Sequence, residues 1–351
     1  MSDKEQKVDA LIQAAIHAKL FPGCSIVVID GTESIAKGFG NFTYESSAPT
    51  VDINTIYDVA SLTKIMAPMA VAMLLIDEGV LDLNEKVSTY LPEFGNDPYK
   101  EIALLSHIMT YTLDYDIPGG SKSVMGQLTP EQVAINAVRF PLKVAPGAQY
   151  MYSNITAFIL TQLIERVTGR NFAQLVQEKV FKPLQMTSAT FAPSREMIEK
   201  IPPTEITEDR GEVKGFVHDE FTHKTTTGGI SNGAAGLFAS ITDLQKFLQM
   251  TLHKGSGLFS PEMSSLWTKD YYPELLPVHT PIGWGDLNNS LIDNYHREIV
   301  VKAGFTGCLM VADMKNQKGF VILSNRTYPK RPDDASAFAA FKTELTSLAL
   351  N

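Results

Sequence analysis

The segments of this chain that read as β-strands cluster at its two ends, and helical segments fill the span between. Near the start, Ser25-Ile26-Val27-Val28-Ile29 is a β-branched run closed by the turn pair Asp30-Gly31, and 34–44 can return as its partner. Strand-like runs come back only late, at Val300-Val301-Lys302, 308–312 and 319–323. A sheet drawn from both ends must close around whatever lies between them. The expectation is therefore an α+β fold: an antiparallel sheet flanked by helices, plus an all-helical domain inserted into it. The expected division is 1–75 with 205–351 for the discontinuous sheet domain, and 76–204 for the mainly helical one. Helices are expected over 3–20, 66–78, 129–138, 155–168 and 333–350, with Thr129 capping Pro130. Pro92, Pro98, Pro118-Gly119-Gly120, Pro146-Gly147 and Pro183 mark the joints.

Composition narrows the function classes. The chain has 351 residues, 44% of them hydrophobic, and so can bury a large core without a metal or disulfide staple. A formal net charge of −9 gives no invitation to nucleic acid or an anionic membrane. Two cysteines, Cys24 and Cys308, read as buried free thiols. No apolar signal segment follows Met1, and the longest apolar run, 65–76, is interrupted by Pro68 and too short to span a bilayer. The expected location is cytoplasmic, although a chain trimmed of a signal peptide reads the same way. Oligomeric state is unknown at this level.

Three short patterns carry chemistry. Ser61-Leu62-Thr63-Lys64 places a hydroxyl and an amine at i and i+3, on one face if Ser61 begins a helix. A serine hydroxyl needs such a partner to become nucleophilic, and burial favours a lysine with lowered pKa. Ser34-Ile35-Ala36-Lys37 matches the same pattern, but in a strand, where i and i+3 point to opposite faces. Tyr152-Ser153-Asn154 offers a phenol, able to relay a proton if cations depress its pKa, and an amide to orient a lysine and a substrate. Lys302-Ala303-Gly304-Phe305 puts a charge at a strand end and a glycine where substrate can approach the backbone. The Phe305 N–H could then donate to an oxyanion.

In this order the three patterns resemble the serine β-lactamase and penicillin-binding-protein superfamily, closest in look to class C β-lactamases and family VIII-type esterases. Pro22-Gly23-Cys24, Asp58-Val59-Ala60 before Ser61, Tyr90-Leu91-Pro92, the stretch Ala235-Gly236-Leu237-Phe238-Ala239-Ser240 and Ser324-Asn325-Arg326 carry the resemblance along most of the chain. His107-Ile108-Met109-Thr110-Tyr111-Thr112 matches more loosely. The resemblance implies a β-lactamase/transpeptidase-like fold and an acyl-serine intermediate on Ser61. It implies base and acid work shared by Lys64 and Tyr152, orientation by Asn154, and positive charge from Lys302. It also implies an oxyanion hole from the Ser61 and Phe305 N–H groups. Ala303 departs from the pattern. β-Lactamases of this family usually carry threonine there, whose hydroxyl helps hold the β-lactam carboxylate.

The expected function is thus a cofactor-independent serine hydrolase acting on a small-molecule ester, amide or β-lactam. Esterase or amide-hydrolase work is preferred; a β-lactamase or D-Ala-D-Ala carboxypeptidase, and a retired binding protein of the same fold, are the alternatives. No cofactor, metal, nucleic acid or membrane partner is expected. Gly229-Ile230-Ser231-Asn232-Gly233 matches a nucleophile-elbow pattern, but the polar Lys224-Thr225-Thr226-Thr227 precedes it where an apolar strand is required. His218 and His223 have no metal-ligand spacing, while His218 and Asp219 are candidates to line the cleft.

Overall fold

The structure, a computed structural model, describes residues 3–117, 128–275, 278–284 and 298–351. The joint expected at Pro118-Gly119-Gly120 lies outside them. Its strands are β1 (Gly23–Asp30), β2 (Glu33–Gly40), β3 (Ile56–Asp58), β4 (Glu205–Thr207), β5 (Gly211–Val213), β6 (Phe238–Ser240), β7 (Ile299–Ala303), β8 (Leu309–Asp313) and β9 (Lys318–Ser324). The helices that position the site are α1 (Asp3–His17), α2 (Leu62–Met66), α3 (Pro68–Asp77), α4 (Pro130–Arg139), α5 (Asn154–Thr168), α6 (Glu220–Thr227), α7 (Ile241–Leu252) and α8 (Ser336–Leu350).

Five strands form one antiparallel sheet in the order β2-β1-β9-β8-β7. The N-terminal hairpin and the C-terminal meander are joined by β1 pairing with β9, from Cys24 opposite Ser324 to Asp30 opposite Lys318. Side chains alternate across the sheet with the period of two that a strand imposes. Ile26, Leu309, Phe320 and Ile322 face Val8 and Ile12 of α1 and Phe341 and Leu345 of α8. Val27, Met310, Val321 and Leu323 face the other way, into a larger core shared with α3, α5 and α7. Both faces of β9 are therefore buried, which is why 319–323 reads as a continuous apolar run rather than an alternating one.

One helix departs from expectation. The single helix over 66–78 is two, α2 and α3, broken at Ala67 (φ −125°, ψ −86°). Pro68 lacks an N–H and cannot continue α2, but its fixed φ suits the first position of α3. The expected cap on α4 is present, with the Thr129 side chain accepting from the Gln132 N–H and the Gln132 side chain accepting from the Thr129 N–H. Met66, Met69 and Met73 lie in the core, and Cys24 and Cys308 are buried free thiols. Among the described residues no helix is long and apolar enough to cross a membrane.

Candidate active site

Ser61 sits at the first turn of α2, held there by an unusual backbone. Ala60 has a left-handed φ of +47°, a conformation that costs a residue with a Cβ. The buried Asp58 carboxylate holds the turn from both sides. Its Oδ1 accepts from the Ala60 N–H at 2.9 Å and its Oδ2 from the His218 N–H at 2.7 Å. The apolar residues that follow draw α2 into the core, and Lys64, three positions on, goes in with them, fully buried.

Three acceptors surround the Lys64 amine. Its Nζ is 3.0 Å from Ser61 Oγ, and it donates to Asn154 Oδ1 at 2.7 Å and to the Ala234 carbonyl at 2.6 Å. Burial pulls its pKa from 10.5 to about 7, against an opposing pull from Asp219. Asn154 is placed by the start of α5, where Ser153 Oγ accepts from the Ile155 N–H. Its Nδ2 donates to Asp219 Oδ2 at 2.8 Å.

Tyr152 precedes Asn154 and leans over both lysines. The Lys64 Nζ lies 5.2 Å and the Lys302 Nζ 4.7 Å from its ring centre. The residue is 39% exposed, its ring open to the cleft. Burial nevertheless pushes its phenol up, opposed by interaction with the Ser61 side chain. This is the reverse of the depression by cations that the sequence suggests. The physical reason is first the burial of the phenol itself, which penalises the phenolate; burial also pulls both lysines toward neutrality. Lys302 is held well below its ordinary value by burial and then by Lys64.

Lys302 does not form the cleft wall. It lies inward of Tyr152, its Nζ 3.3 Å from the Tyr111 hydroxyl, 3.1 Å from the Trp284 carbonyl and 4.7 Å from the Tyr111 ring centre. Tyr111, buried and itself at φ +57°, has its ring 5.0 Å from that of Tyr152, tilted by 37°. Ala303 is the exposed end of β7. At Gly304 a Cβ would meet the Val59 carbonyl at 2.7 Å and the Ala60 Cβ at 3.3 Å. Only glycine lets the end of this edge strand lie against the backbone that carries Ser61. Phe305 then stands 52% exposed beside the cleft.

The cleft has a volume of about 610 Å³ and is lined by Ser61, Tyr152, Asn154, His218, Asp219 and Phe305, among others. Ile117, Val133, Phe140, Met151, Ile155 and Phe221 add an apolar wall. His218 is buried, with its pKa lowered to about 4 by burial and by Arg331. Its Nε2 is 3.5 Å from Glu205, and its ring lies 5.7 Å from that of Phe305. A larger depression of about 760 Å³ elsewhere, bordered by Glu93, Arg139 and Arg166, has no Ser, Cys, Lys or His in its lining. Ser231 is engaged by Glu165 at 2.7 Å. Ser34 pairs opposite Ile29 and Lys37 opposite Ile26, and Lys37 is bound by Glu5 and Asp9. Among the described residues no group of three or more His, Cys, Asp or Glu is placed to hold a metal.

The structure thus brings Ser61, Lys64, Asn154, Tyr152 and Lys302 together from α2, the start of α5 and β7. Sequence reasoning missed the Ala234 carbonyl and the support from Asp58 and Tyr111. Asp58 and Tyr111 stood only inside matched stretches. No signal of spacing singled them out.

Residues 8–344 match the family described as Beta-lactamase. A Salmonella agona protein provisionally named a D-alanyl-D-alanine carboxypeptidase is 27% identical over 370 residues, spanning 93% of this chain and 84% of its own. Among solved structures, a β-lactamase/D-alanine carboxypeptidase from Pseudomonas syringae superposes with a TM-score of 0.77 at 16% identity, covering 99% of each chain. EstCE1, a hydrolase with promiscuous acyltransferase activity, does so with a TM-score of 0.77 at 17% identity, covering 99% of this chain and 98% of its own. At such identities the two structures speak for the β-lactamase/transpeptidase-like fold alone.

Proposed function

The chain belongs to the β-lactamase family and is a serine hydrolase of that family, and from this premise we propose that Ser61 is acylated with neutral Lys64 as its base. The observation that carries the reading is the hydrogen-bond inventory of Lys64. A neutral amine has two N–H groups and one lone pair. The Asn154 and Ala234 carbonyl oxygens take the two N–H groups, and Ser61 Oγ, 3.0 Å away, stands where the lone pair remains. With a pKa of about 7, a large share of the enzyme holds that neutral form at neutral pH.

In the proposed cycle Lys64 takes the Ser61 proton as Oγ bonds to the substrate carbonyl carbon. The N–H groups of Ser61 and Phe305 receive the developing oxyanion. The tetrahedral species collapses by breaking the bond to the leaving alcohol or amine, which takes a proton from the Tyr152 phenol. The Lys64 ammonium then returns a proton to Tyr152. Water attacks the acyl-serine by the reverse sequence, releasing the acid and restoring Ser61. Because Tyr152 is held protonated, it serves as donor and Lys64 as acceptor.

The preferred substrate is a small ester or amide with an apolar acyl group. The apolar wall of the cleft supports the acyl preference, and Ala303 removes the hydroxyl expected of a β-lactam site. A D-alanyl-D-alanine carboxypeptidase is the second reading, favoured by the name of the Salmonella relative. Intact-protein mass spectrometry after exposure to short-chain p-nitrophenyl esters, nitrocefin, a D-Ala-D-Ala peptide and a fluorophosphonate separates these readings. Ser61→Ala should lose both the acyl adduct and ester turnover. Retention of the wild-type rate would remove Ser61 as nucleophile.

A further inference from the structure

Asp219 lies one amide away from the base. Its Oδ1 is fixed by the Thr222 N–H and hydroxyl, both at 2.8 Å, as the cap of α6. Its Oδ2 accepts from Asn154 Nδ2 at 2.8 Å. An amide presents a donor on one side and an acceptor on the other, and either could turn toward Lys64. An ionised carboxylate can only accept, so the side of Asn154 facing Asp219 must be its NH₂ group. The oxygen is then left for Lys64.

We propose that Asp219 is a positioning residue: its carboxylate orients Asn154 so that the amide oxygen takes one Lys64 N–H and leaves the amine's lone pair on Ser61. The inference rests on the reading of Lys64 as base. The same geometry gives Asp219 a second effect, because its charge favours the protonated lysine. The groups around Lys64 act unequally. Asp219 before α6 favours the proton, Tyr152 before α5 is a neutral phenol, and Lys302 on β7 is itself held well below its ordinary value by burial and then by Lys64. On its far side Asp219 faces the buried Asp58, which it pushes toward the neutral acid.

The test compares the full-length wild type with Asp219→Asn and Asp219→Glu. Two quantities are followed from pH 5.5 to 9: kcat and KM for p-nitrophenyl butyrate, and the rate of Ser61 labelling by a fluorophosphonate. In the wild type, kcat/KM and labelling should rise with pH through a limb near pH 7, where Lys64 loses its proton. Asp219→Asn should lower kcat about tenfold with KM little changed. It should also move the limb down by roughly one pH unit, because the opposing charge is gone. Asp219→Glu keeps the charge; its limb should stay at the wild-type pH while kcat falls. A limb that stays put in Asp219→Asn, whether or not the rate falls, overturns the inference, since a merely structural role lowers rates without moving it. If Asp219→Asn does not fold, a shifted limb in Asp219→Glu overturns it equally. A wild type that is not labelled at Ser61 overturns the reading on which the inference stands.

Discussion

Gly304 offers the sharpest structural prediction, because adding one methyl group there acts on the proposed oxyanion donor beside it and not on the groups proposed to exchange protons. In Gly304→Ala the new Cβ would sit 2.7 Å from the Val59 carbonyl, 3.1 Å from the Cys308 Cβ and 3.3 Å from the Ala60 Cβ. Ordinary contact begins near 3.4 Å, so the strand end and the turn must separate by about 0.7 Å. The turn cannot yield freely: the Val59 carbonyl accepts the Leu62 N–H at 3.1 Å, and the Val59 N–H donates to the Leu237 carbonyl at 3.0 Å. Most of the movement therefore falls on Gly304 and Phe305, carrying the Phe305 N–H, the proposed oxyanion donor, away from the Ser61 turn. A misplacement approaching 1 Å costs about 10²-fold. The expected result is a fall in kcat of about that size with KM less affected. Overpacking costs about 1–3 kcal/mol, seen as a melting temperature lower by a few degrees. Stopped-flow acylation with a p-nitrophenyl ester, together with a thermal melt, reads both. A variant with wild-type acylation and melting would refute the argument that Gly304 must lie against the Ser61 turn.

Two further perturbations test the proton inventory. Tyr152→Phe should lower kcat by about 10²-fold or more for an ester with a poor leaving group, and much less for p-nitrophenolate, which leaves without a proton; equal losses on both would end the assignment of Tyr152 as donor. Asp58 is raised by burial from 3.8 to about 6, so the folded state holds its proton more tightly than the unfolded chain. Its contribution to stability is present below about pH 4 and fades as pH rises to 6. Urea unfolding should show the wild type losing ground to Asp58→Asn over that window by on the order of 3 kcal/mol, and a gap that does not change with pH would contradict the raised carboxyl.

The parts of the site that follow local periodicity were legible in the chain. Ser61 and Lys64 share a face because a helix repeats every 3.6 residues, and the same rule in its strand form separates Ser34 from Lys37. The Thr129 cap and the β-branched run of β1 are equally local. The break at Ala67 is not read from the chain although Pro68 interrupts the apolar run, because the apolar residues on either side of it keep helical spacing and mask the lost N–H. Ala60 and Tyr111 adopt left-handed backbone that nothing in their own residue types requires. Only the contacts around them impose it. Asp219 was legible as a cleft residue, but not its hold on Asn154, and Asp58 not as the clamp on the Ser61 turn, since the Asn154 amide and the His218 N–H come from residues far along the chain.

By itself the sequence determined the kinds of chemistry available: a hydroxyl and an amine on one helical face, a phenol and an amide at a helix start, and a lysine followed by glycine at a strand end. It also determined that strands from both chain ends must meet. The tertiary structure decided which protons are held and which are lost. A lysine's proton affinity depends on how much water is removed around it and on which charges replace that water. At Lys64 these are set by Asn154, Ala234 and Asp219, all from segments remote in the chain. Sequence spacing can place an amine beside a hydroxyl, but only the packing of distant segments around that amine brings its proton affinity down to near neutral pH.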